Sequence, residues 1–246
     1  MTKRRILRLS GSDVREFLQG LITNDIKHLD TGLVYAAILT PQGKYIADFF
    51  LIPAKDDVLL DVAASLGDAL VQRLNMYKLR ADVILDETQL HLHRGLGDRP
   101  EDGFSDPRHA EMGWRAYRDA PQTNDVVDWT ALRVAHLIPE TGIELTPDTF
   151  ILEAGFERLS GVDFRKGCYV GQEVTARMKH KTELRKGLAR VSISGEAETG
   201  SEITADGKTA GTLLSRASDS AIAYLRFDRA KGEMQAQQAK LRFEHR

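Results

Sequence analysis

Runs of hydrophobic residues with two different spacings fill the first third of the chain. Strand-like runs lie at residues 6–9, 33–39, 45–52, 58–62 and 81–85. Between them, apolar residues recur with helical spacing after Ser12 or Asp13, either of which can cap a helix, and again over residues 66–77. Residues 40–44, with Pro41 and Gly43, predict a turn that joins two strands as a hairpin. This order predicts strands covered by helices on one face.

The pattern becomes irregular in the middle of the chain and changes to short strands near its end. Residues 95–107 are rich in Gly, Pro and acidic residues and predict a loop, whereas a helix is expected from Asp128 to Ile138. Short strands separated by Gly, Asp and Ser are expected at residues 187–193, 202–204, 208–215 and 221–225. They predict a small β-barrel. We place the boundary near Thr182, which gives domains of residues 1–182 and 183–246.

The composition is that of an ordinary globular protein. Hydrophobic residues make up 42% of the chain and charged residues 28%, which is enough to bury a core. A net charge of -2 gives no overall attraction to nucleic acid or to an anionic membrane surface. No apolar run has the length of a membrane-spanning helix, and the N-terminus lacks the apolar region of a signal peptide. The expected location is a reducing cytosol.

The only cysteine of the chain, Cys168, lies in the octapeptide Lys-Gly-Cys-Tyr-Val-Gly-Gln-Glu of residues 166–173. One thiol cannot form an internal disulfide, so any chemical role is that of a thiol or thiolate. Two alternatives follow from the residues themselves. The cysteine could be a small buried core residue, as cysteines often are. Alternatively, a turn shaped by Gly167 and Gly171 presents the thiol outward, where the nearby cations Arg165, Lys166 and Arg177 favour its thiolate.

The segment of residues 160–177, which contains the octapeptide, resembles the signature of the YgfZ family. These are folate-binding proteins of iron–sulfur cluster maintenance, related to the T-protein of glycine cleavage. Weaker similarities to the family lie at residues 11–13, 17–25, 39–44 and 77–80. The resemblance implies a T-protein-like α+β fold, in which two interleaved α/β subdomains and a C-terminal β-barrel surround a central cavity.

The same resemblance implies a folate-dependent role in the assembly or repair of iron–sulfur clusters. Tetrahydrofolate or a derivative would occupy the cavity, with Cys168 near its mouth as the reactive group. Lys166 and Arg177 would bind or tune negative charge. Anchoring of the loop or contact with the ligand is expected of Tyr169, Gln172 and Glu173. Because a cluster generally needs several thiolates, the expected partners are iron–sulfur carrier or scaffold proteins and client enzymes.

One acidic residue is a candidate for binding the pterin, and other positions depart from the T-protein pattern. Glu153 could accept two N–H donors of the pterin edge, or it could be a surface acid of a helix. The segment that carries a glutamate in the T-protein corresponds here to residues 132–137, with Ala135 in place of the acid. Asp68 matches the catalytic aspartate block only loosely. Whether the protein is an enzyme stays open, but aminomethyl transfer is not expected.

Two further groups of residues are candidates for binding. His91 and His93 would project from one face of a strand, which suits either a metal ligand pair or, more simply, a solvated face; no metal site is expected. The basic residues of 178–181, with Arg185 and Lys186, suit either a phosphate backbone or folate tail, or a solvated linker. The alternatives for function are accordingly a tetrahydrofolate-dependent one-carbon transferase or demethylase, and an accessory protein of tRNA modification.

Overall fold

A computed structural model describes residues 3–181 and 183–245, which form two compact units. The first, called the sheet unit, comprises residues 3–127 and Phe156–Ala176. The second, called the barrel unit, comprises Asp128–Gly155 together with residues 177–181 and 183–245. Each unit therefore contains two separate segments of the chain.

The core of the sheet unit is a five-stranded antiparallel sheet of order β2-β3-β4-β1-β5. Its strands are β1 (Arg4–Ser10), β2 (Val34–Leu39), β3 (Tyr45–Ala54), β4 (Asp57–Ala63) and β5 (Ile84–Glu87). The hairpin of β2 and β3 is confirmed, with Val34 opposite Leu51 and Leu39 opposite Tyr45. β2 is buried along its whole length, because apolar residues occupy both of its faces. The fifth strand begins three residues later than its expected start at Ala81.

The sheet unit also contains two helices, α1 (Val14–Gln19) and α2 (Ala64–Lys78). Leu70 and Leu74 of α2 are fully buried in the core formed with the sheet, as the helical spacing predicted. The predicted side-chain cap of α1 is wrong. Asp13 does precede the helix, but its carboxylate accepts a hydrogen bond of 2.8 Å from the main-chain N–H of Asp82 instead. Short 3₁₀ turns follow at Ile26–Asp30 and Ala110–Met112.

A smaller antiparallel sheet of order β6-β8-β7 completes the sheet unit, with strands β6 (His91–Gly95), β7 (Phe104–Ser105) and β8 (Trp114–Arg118). The buried carboxylate of Asp61 on β4 connects it to the larger sheet. One oxygen of Asp61 accepts from Arg4 Nε at 2.6 Å, and the other accepts from Arg115 Nη2 at 2.5 Å and from Tyr117 Oη at 2.9 Å. Burial acts to raise the pKa of Asp61, but the two guanidinium groups outweigh it and lower the pKa below its ordinary value.

The barrel unit contains a closed six-stranded barrel of order β10-β11-β12-β9-β14-β13. Its strands are β9 (Lys186–Ser194), β10 (Glu202–Ala205), β11 (Lys208–Ala217), β12 (Ser220–Arg226), β13 (Glu233–Ala236) and β14 (Ala239–His245). The last two were not predicted from the sequence. Helix α3 (Trp129–Ala135) packs on β11 and β12, and the Asp128 carboxylate caps it by accepting from the N–H of Ala131 at 2.9 Å. The helix was expected to continue to Ile138 and ends three residues earlier.

Helix α4 (Gln172–Lys181) begins in the sheet unit and ends in the barrel unit. Thr182, at which we placed the domain boundary, lies outside the described residues, and that boundary stays a prediction. The residues 178–181, for which a solvated linker was one of two alternatives, belong to α4. None of the helices in the described ranges combines the length and the apolar character needed to cross a membrane.

Candidate functional site

The thiol of Cys168 lies at the protein surface. Gly167 and Cys168 are exposed, whereas their neighbours Lys166 and Tyr169 are each only 7% exposed. The chain thus turns two side chains inward and the two residues between them outward. The alternative of a buried cysteine is therefore wrong, because the flanking lysine and tyrosine occupy the inward positions.

Lys166 reaches into the sheet unit. Its ammonium donates hydrogen bonds to the main-chain oxygens of Gln19 at 2.6 Å and Ile22 at 2.5 Å, and it lies 4.9 Å from the centre of the Tyr169 ring. α1 ends at Gln19, and the last carbonyls of a helix have no partner within the helix. Burial lowers the pKa of Lys166 to about 8, although Asp25 and Asp163 act to raise it. The role expected for Lys166 in binding external negative charge therefore needs correction, since its donors point inward.

The two glycines of the octapeptide play different roles. Gly171 has φ +86°, and a Cβ at this position would come within 2.6 Å of the main-chain oxygen of Thr40. Gly43, in the turn of the β2–β3 hairpin, likewise lies against Val174 of α4. The hairpin turn and the start of α4 thus pack closely. By contrast, a Cβ at Gly167 would have no atom of the described residues within 4 Å, and the φ of Gly167 is not positive, so the prediction that it shapes the turn is wrong.

The remaining predicted residues of the octapeptide differ in exposure. Burial raises the pKa of Tyr169, whose hydroxyl interacts with that of Thr175, so Tyr169 anchors the loop as one of its predicted roles requires. Gln172 is half-buried, with Nε2 3.5 Å from the oxygen of Gly167. Glu173 and Arg177 are exposed, and Arg177 belongs to the barrel unit. The structure therefore brings Cys168, Lys166, Tyr169 and Gln172 together in one turn.

Glu153 lies in the barrel unit and is 8% exposed, so it is not an acid of a helix surface. Its Oε2 accepts a hydrogen bond of 2.6 Å from the hydroxyl of Tyr224, and its Oε1 lies 3.9 Å from Lys186 Nζ. Its main-chain oxygen accepts from the N–H of Leu188 at 2.7 Å. The carboxylate is thus held in place by residues of β9 and β12.

The sheet unit contains a cleft of about 540 Å³, and the residues that line it were not identified from the sequence. Its walls include Tyr35, Phe164 and Val162, and polar groups of Asn24, His28 and Asp163 lie among them. Its size is that of a site for a small organic molecule. The sequence carried one signal of this cleft, since residues 162–165 directly precede the octapeptide in the segment that resembles the YgfZ signature.

Two of the segments that resemble the YgfZ family, residues 17–25 and 160–177, are hydrogen-bonded to each other beside the cleft. Thr23 donates to the main-chain oxygen of Gly161 at 2.7 Å, and the amide of Asn24 donates to that of Ser160 at 2.7 Å. At the cleft, the imidazole of His28 lies 3.3 Å from a carboxylate oxygen of Asp163. Burial acts to raise the pKa of Asp163, but hydrogen bonds from Arg165 and His28 lower it.

Two other candidates from the sequence, His93 and Asp68, each contact another residue. His93 Nε2 lies 2.6 Å from the main-chain oxygen of Ala120. Over residues 3–181 and 183–245, no group of three or more His, Cys, Asp and Glu side chains is arranged to hold a metal ion. Asp68 is 96% exposed and pairs with Arg5, and the main-chain oxygen of Ala135 accepts from Arg190 Nη1 at 2.8 Å.

Comparison with solved structures confirms the predicted T-protein-like α+β fold. Glycine cleavage system aminomethyltransferase T from Bartonella henselae superposes with a TM-score of 0.79, and the match covers 99% of this chain and 83% of that one. The sequence identity is 14%, so the likeness concerns the fold alone. Residues 185–245 match the family model described as the CAF17 C-terminal beta-barrel domain.

Comparison with known sequences gives similar proteins along most of the chain. The iron–sulfur cluster assembly factor IBA57 of Mus musculus is 30% identical, over 94% of this chain and 78% of its own length. The homolog of Mycosarcoma maydis is 32% identical over 77% of this chain, which spans only 55% of that longer protein. Both relatives are named as mitochondrial. These relatives contradict the cytosolic location that we expected. The expectation was wrong because a globular composition with one cysteine does not distinguish between reducing compartments. The chain belongs to the IBA57 family of iron–sulfur cluster assembly factors.

Proposed function

We propose that the protein assists the assembly or repair of iron–sulfur clusters in client enzymes and that it depends on tetrahydrofolate or a derivative to do so. The observation that carries the proposal is the exposure of Cys168, the only thiol of the chain, on a turn anchored by buried residues on both sides. The names of the IBA57 relatives support the part that concerns clusters.

The chemistry of the single thiol sets the form of this assistance. Thiolates are good ligands of iron, but iron–sulfur clusters are generally bound by several of them. With one cysteine in the chain, the other ligands of a cluster must come from a partner. Cys168 therefore acts at an interface, where it contacts either a cluster held by a carrier or scaffold protein or a thiol of that protein.

The contacts of Glu153 support the folate part of the proposal. An ionised carboxylate offers about four lone-pair positions, and among the described residues Tyr224 and Lys186 are directed at two of them. The positions left can accept two parallel N–H donors from an aminopyrimidine edge. Tetrahydrofolate, when bound, supplies a reduced pterin and a carrier for one-carbon units. Tyr224 and Lys186 orient the carboxylate for that contact.

The test is complementation of cells that lack their own IBA57 protein. Expression of this chain should restore the activity of cluster-dependent enzymes, while an enzyme without a cluster serves as the reference for general growth effects. Folate depletion in the complemented cells should abolish the rescue. A chain that is expressed and folded but restores no cluster-dependent activity would contradict the proposal, and rescue that persists without folate would remove the folate dependence alone.

The alternatives of the sequence analysis can be separated from this proposal by direct assays. A one-carbon transferase or demethylase would produce formaldehyde or methylene-tetrahydrofolate from small amines. With glycine-cleavage partner proteins we expect no turnover, since Ala135 cannot accept the hydrogen bonds of a glutamate. A tRNA-modification accessory would bind tRNA with an affinity that falls steeply with salt.

A further inference from the structure

The exposed pair of Gly167 and Cys168 is held between two buried side chains that contact each other. The ammonium of Lys166 lies 4.9 Å from the centre of the Tyr169 ring, which is within the range of a cation–π interaction. Both residues belong to the sheet unit, as do the two carbonyls that the lysine contacts. The turn that carries the thiol is therefore attached to the core immediately before and immediately after its exposed residues.

The attachment before the thiol depends on the lysine, because Gly167 contributes no side-chain contact. A buried ammonium is costly unless its donors are satisfied, and here two carbonyl oxygens at 2.6 and 2.5 Å and the face of an aromatic ring satisfy it. The carbonyl of Gln19 belongs to the last residue of α1, and Ile22 follows in the chain segment beyond the helix. Lys166 thus caps a helix that is distant in sequence and fixes the thiol turn to it.

We propose that Lys166 is a positioning residue for Cys168: its contacts with Gln19, Ile22 and Tyr169 hold the thiol in one place at the surface. The proposal rests on the proposed function in one respect: the positioned thiol meets the cluster or the thiol of a partner. A thiol that meets a partner in one geometry binds more favourably if the turn is already ordered, because binding then costs no further conformational entropy of the turn.

The single cysteine permits a test on the purified chain without a partner. A nitroxide spin label attached to Cys168 reports the mobility of the turn by electron paramagnetic resonance. In the unaltered protein and in Lys166→Arg, which retains the donors, we expect the spectrum of an ordered label. In Lys166→Met, which keeps the length of the side chain but loses its donors, we expect a predominantly mobile spectrum.

Tyr117→Phe is the control. This substitution removes a hydroxyl of the small sheet in the same unit, which donates to Asp61 at 2.9 Å and lies 3.3 Å from Arg115 Nε. Tyr117 is distant in sequence from Gln19, Ile22 and Tyr169, the residues that Lys166 contacts. The control substitution should lower the thermal midpoint as Lys166→Met does, yet leave the label ordered. If Lys166→Met does not fold, Lys166→Gln, which can still donate to one carbonyl, allows the same comparison.

Two results would overturn the proposal. One is a label as ordered in Lys166→Met, or in Lys166→Gln where that variant replaces it, as in the unaltered chain. The other is a label as mobile in Tyr117→Phe as in Lys166→Met, since mobility would then follow general loosening of the unit. Neither result depends on folate, clusters or partners, so failure of this proposal is distinguishable from failure of the proposed function.

Discussion

The hydroxyl of Tyr224 donates a hydrogen bond of 2.6 Å to the Oε2 atom of Glu153. Burial, together with the neighbouring carboxylate, raises the pKa of Tyr224, so the phenol remains a donor at all physiological pH values. Gly187 brings β9 so close that a Cβ there would lie 2.7 Å from the main-chain oxygen of Glu153. The acid is therefore fixed through both its side chain and its backbone.

The first prediction is that Glu153→Ala abolishes the binding of tetrahydrofolate. Titration calorimetry of the unaltered protein should give a saturable heat, and the variant should give none, because the acceptor of the pterin donors is removed. Glu144→Gln is the control. Glu144 is also a buried acid of the barrel unit, and it binds Arg133 and the N–H of Ser215. Its substitution should reduce stability but leave folate binding intact. Equal loss of binding in both variants would contradict a specific role of Glu153.

The second prediction concerns the two glycines of the octapeptide. Gly171→Ala should lower the free energy of unfolding by at least about 2 kcal/mol, since it combines a positive φ with a clash against the oxygen of Thr40. Gly167→Ala should change it by less than about 0.5 kcal/mol, because its Cβ would meet no atom of the described residues within 4 Å. Urea unfolding of both variants measures the difference. Equal costs would show that the turn differs from the one described.

The third prediction concerns Asp61, which is buried with Arg4 and Arg115. Asp61→Asn should destabilise the protein by about 3–5 kcal/mol at pH 7, because it leaves two guanidinium groups without their carboxylate. The folded pKa of Asp61 is lowered, so its stabilisation is present above the unfolded pKa and is lost as the pH falls through the folded value. The variant should therefore lose less stability than the unaltered chain between pH 5 and 2, in urea midpoints measured across that range.

Asp68→Asn provides the control for that measurement. Asp68 also pairs with an arginine, Arg5, but its side chain is 96% exposed. Exposed ion pairs contribute about 0–1 kcal/mol, so this variant should resemble the unaltered protein at every pH. If it lost as much stability as Asp61→Asn, burial of the carboxylate would not be the reason for the effect.

The strands near the start of the chain could be predicted because local spacing determines them. Apolar runs, with Pro41 and Gly43 between them, were enough to identify the β2–β3 hairpin. The inward direction of Lys166 could not be predicted in this way. Its carbonyl partners, Gln19 and Ile22, are distant in sequence, and lysine is ordinarily an exposed residue.

Contacts between distant segments also explain the other features that were predicted wrongly or not predicted. The carboxylate of Asp13 accepts from the N–H of Asp82 rather than capping its own helix. This contact joins residues 69 positions apart and could not be predicted from local sequence. Strand β13 (Glu233–Ala236) is only four residues long, and β14 (Ala239–His245) carries charged residues at alternate positions; the two pair with each other within the closed barrel. The octapeptide is the opposite case, because one continuous run of residues carries its resemblance to a known family and marks the position of the thiol.

The fourth prediction concerns the pH dependence that Lys166 contributes. In the unfolded chain its pKa is near the ordinary 10.5, and in the folded protein it is about 8. Between these values the unfolded state binds the additional proton, so the free energy of unfolding should rise with pH from about 8 to 10. The slope from one group is at most about 1.4 kcal/mol per pH unit. Lys166→Met should reduce this slope relative to the unaltered protein in urea midpoints, and an unchanged slope would contradict the lowered pKa.

The last prediction separates packing from chemistry at Cys168. Because the side chain is exposed, Cys168→Ser should change the free energy of unfolding by less than about 0.5 kcal/mol and leave folate binding unaltered. A serine hydroxyl is not appreciably ionised at neutral pH and is a poor ligand for iron, so the variant should fail to restore cluster-dependent enzymes in cells that lack the native protein. Thermal midpoint, calorimetry with tetrahydrofolate and client-enzyme activity, measured on the same variant, provide the comparison. Ser12→Ala, another change of an exposed small residue in the sheet unit, is the control and should rescue as the unaltered chain does. Full rescue by Cys168→Ser would show that the thiol itself is not required.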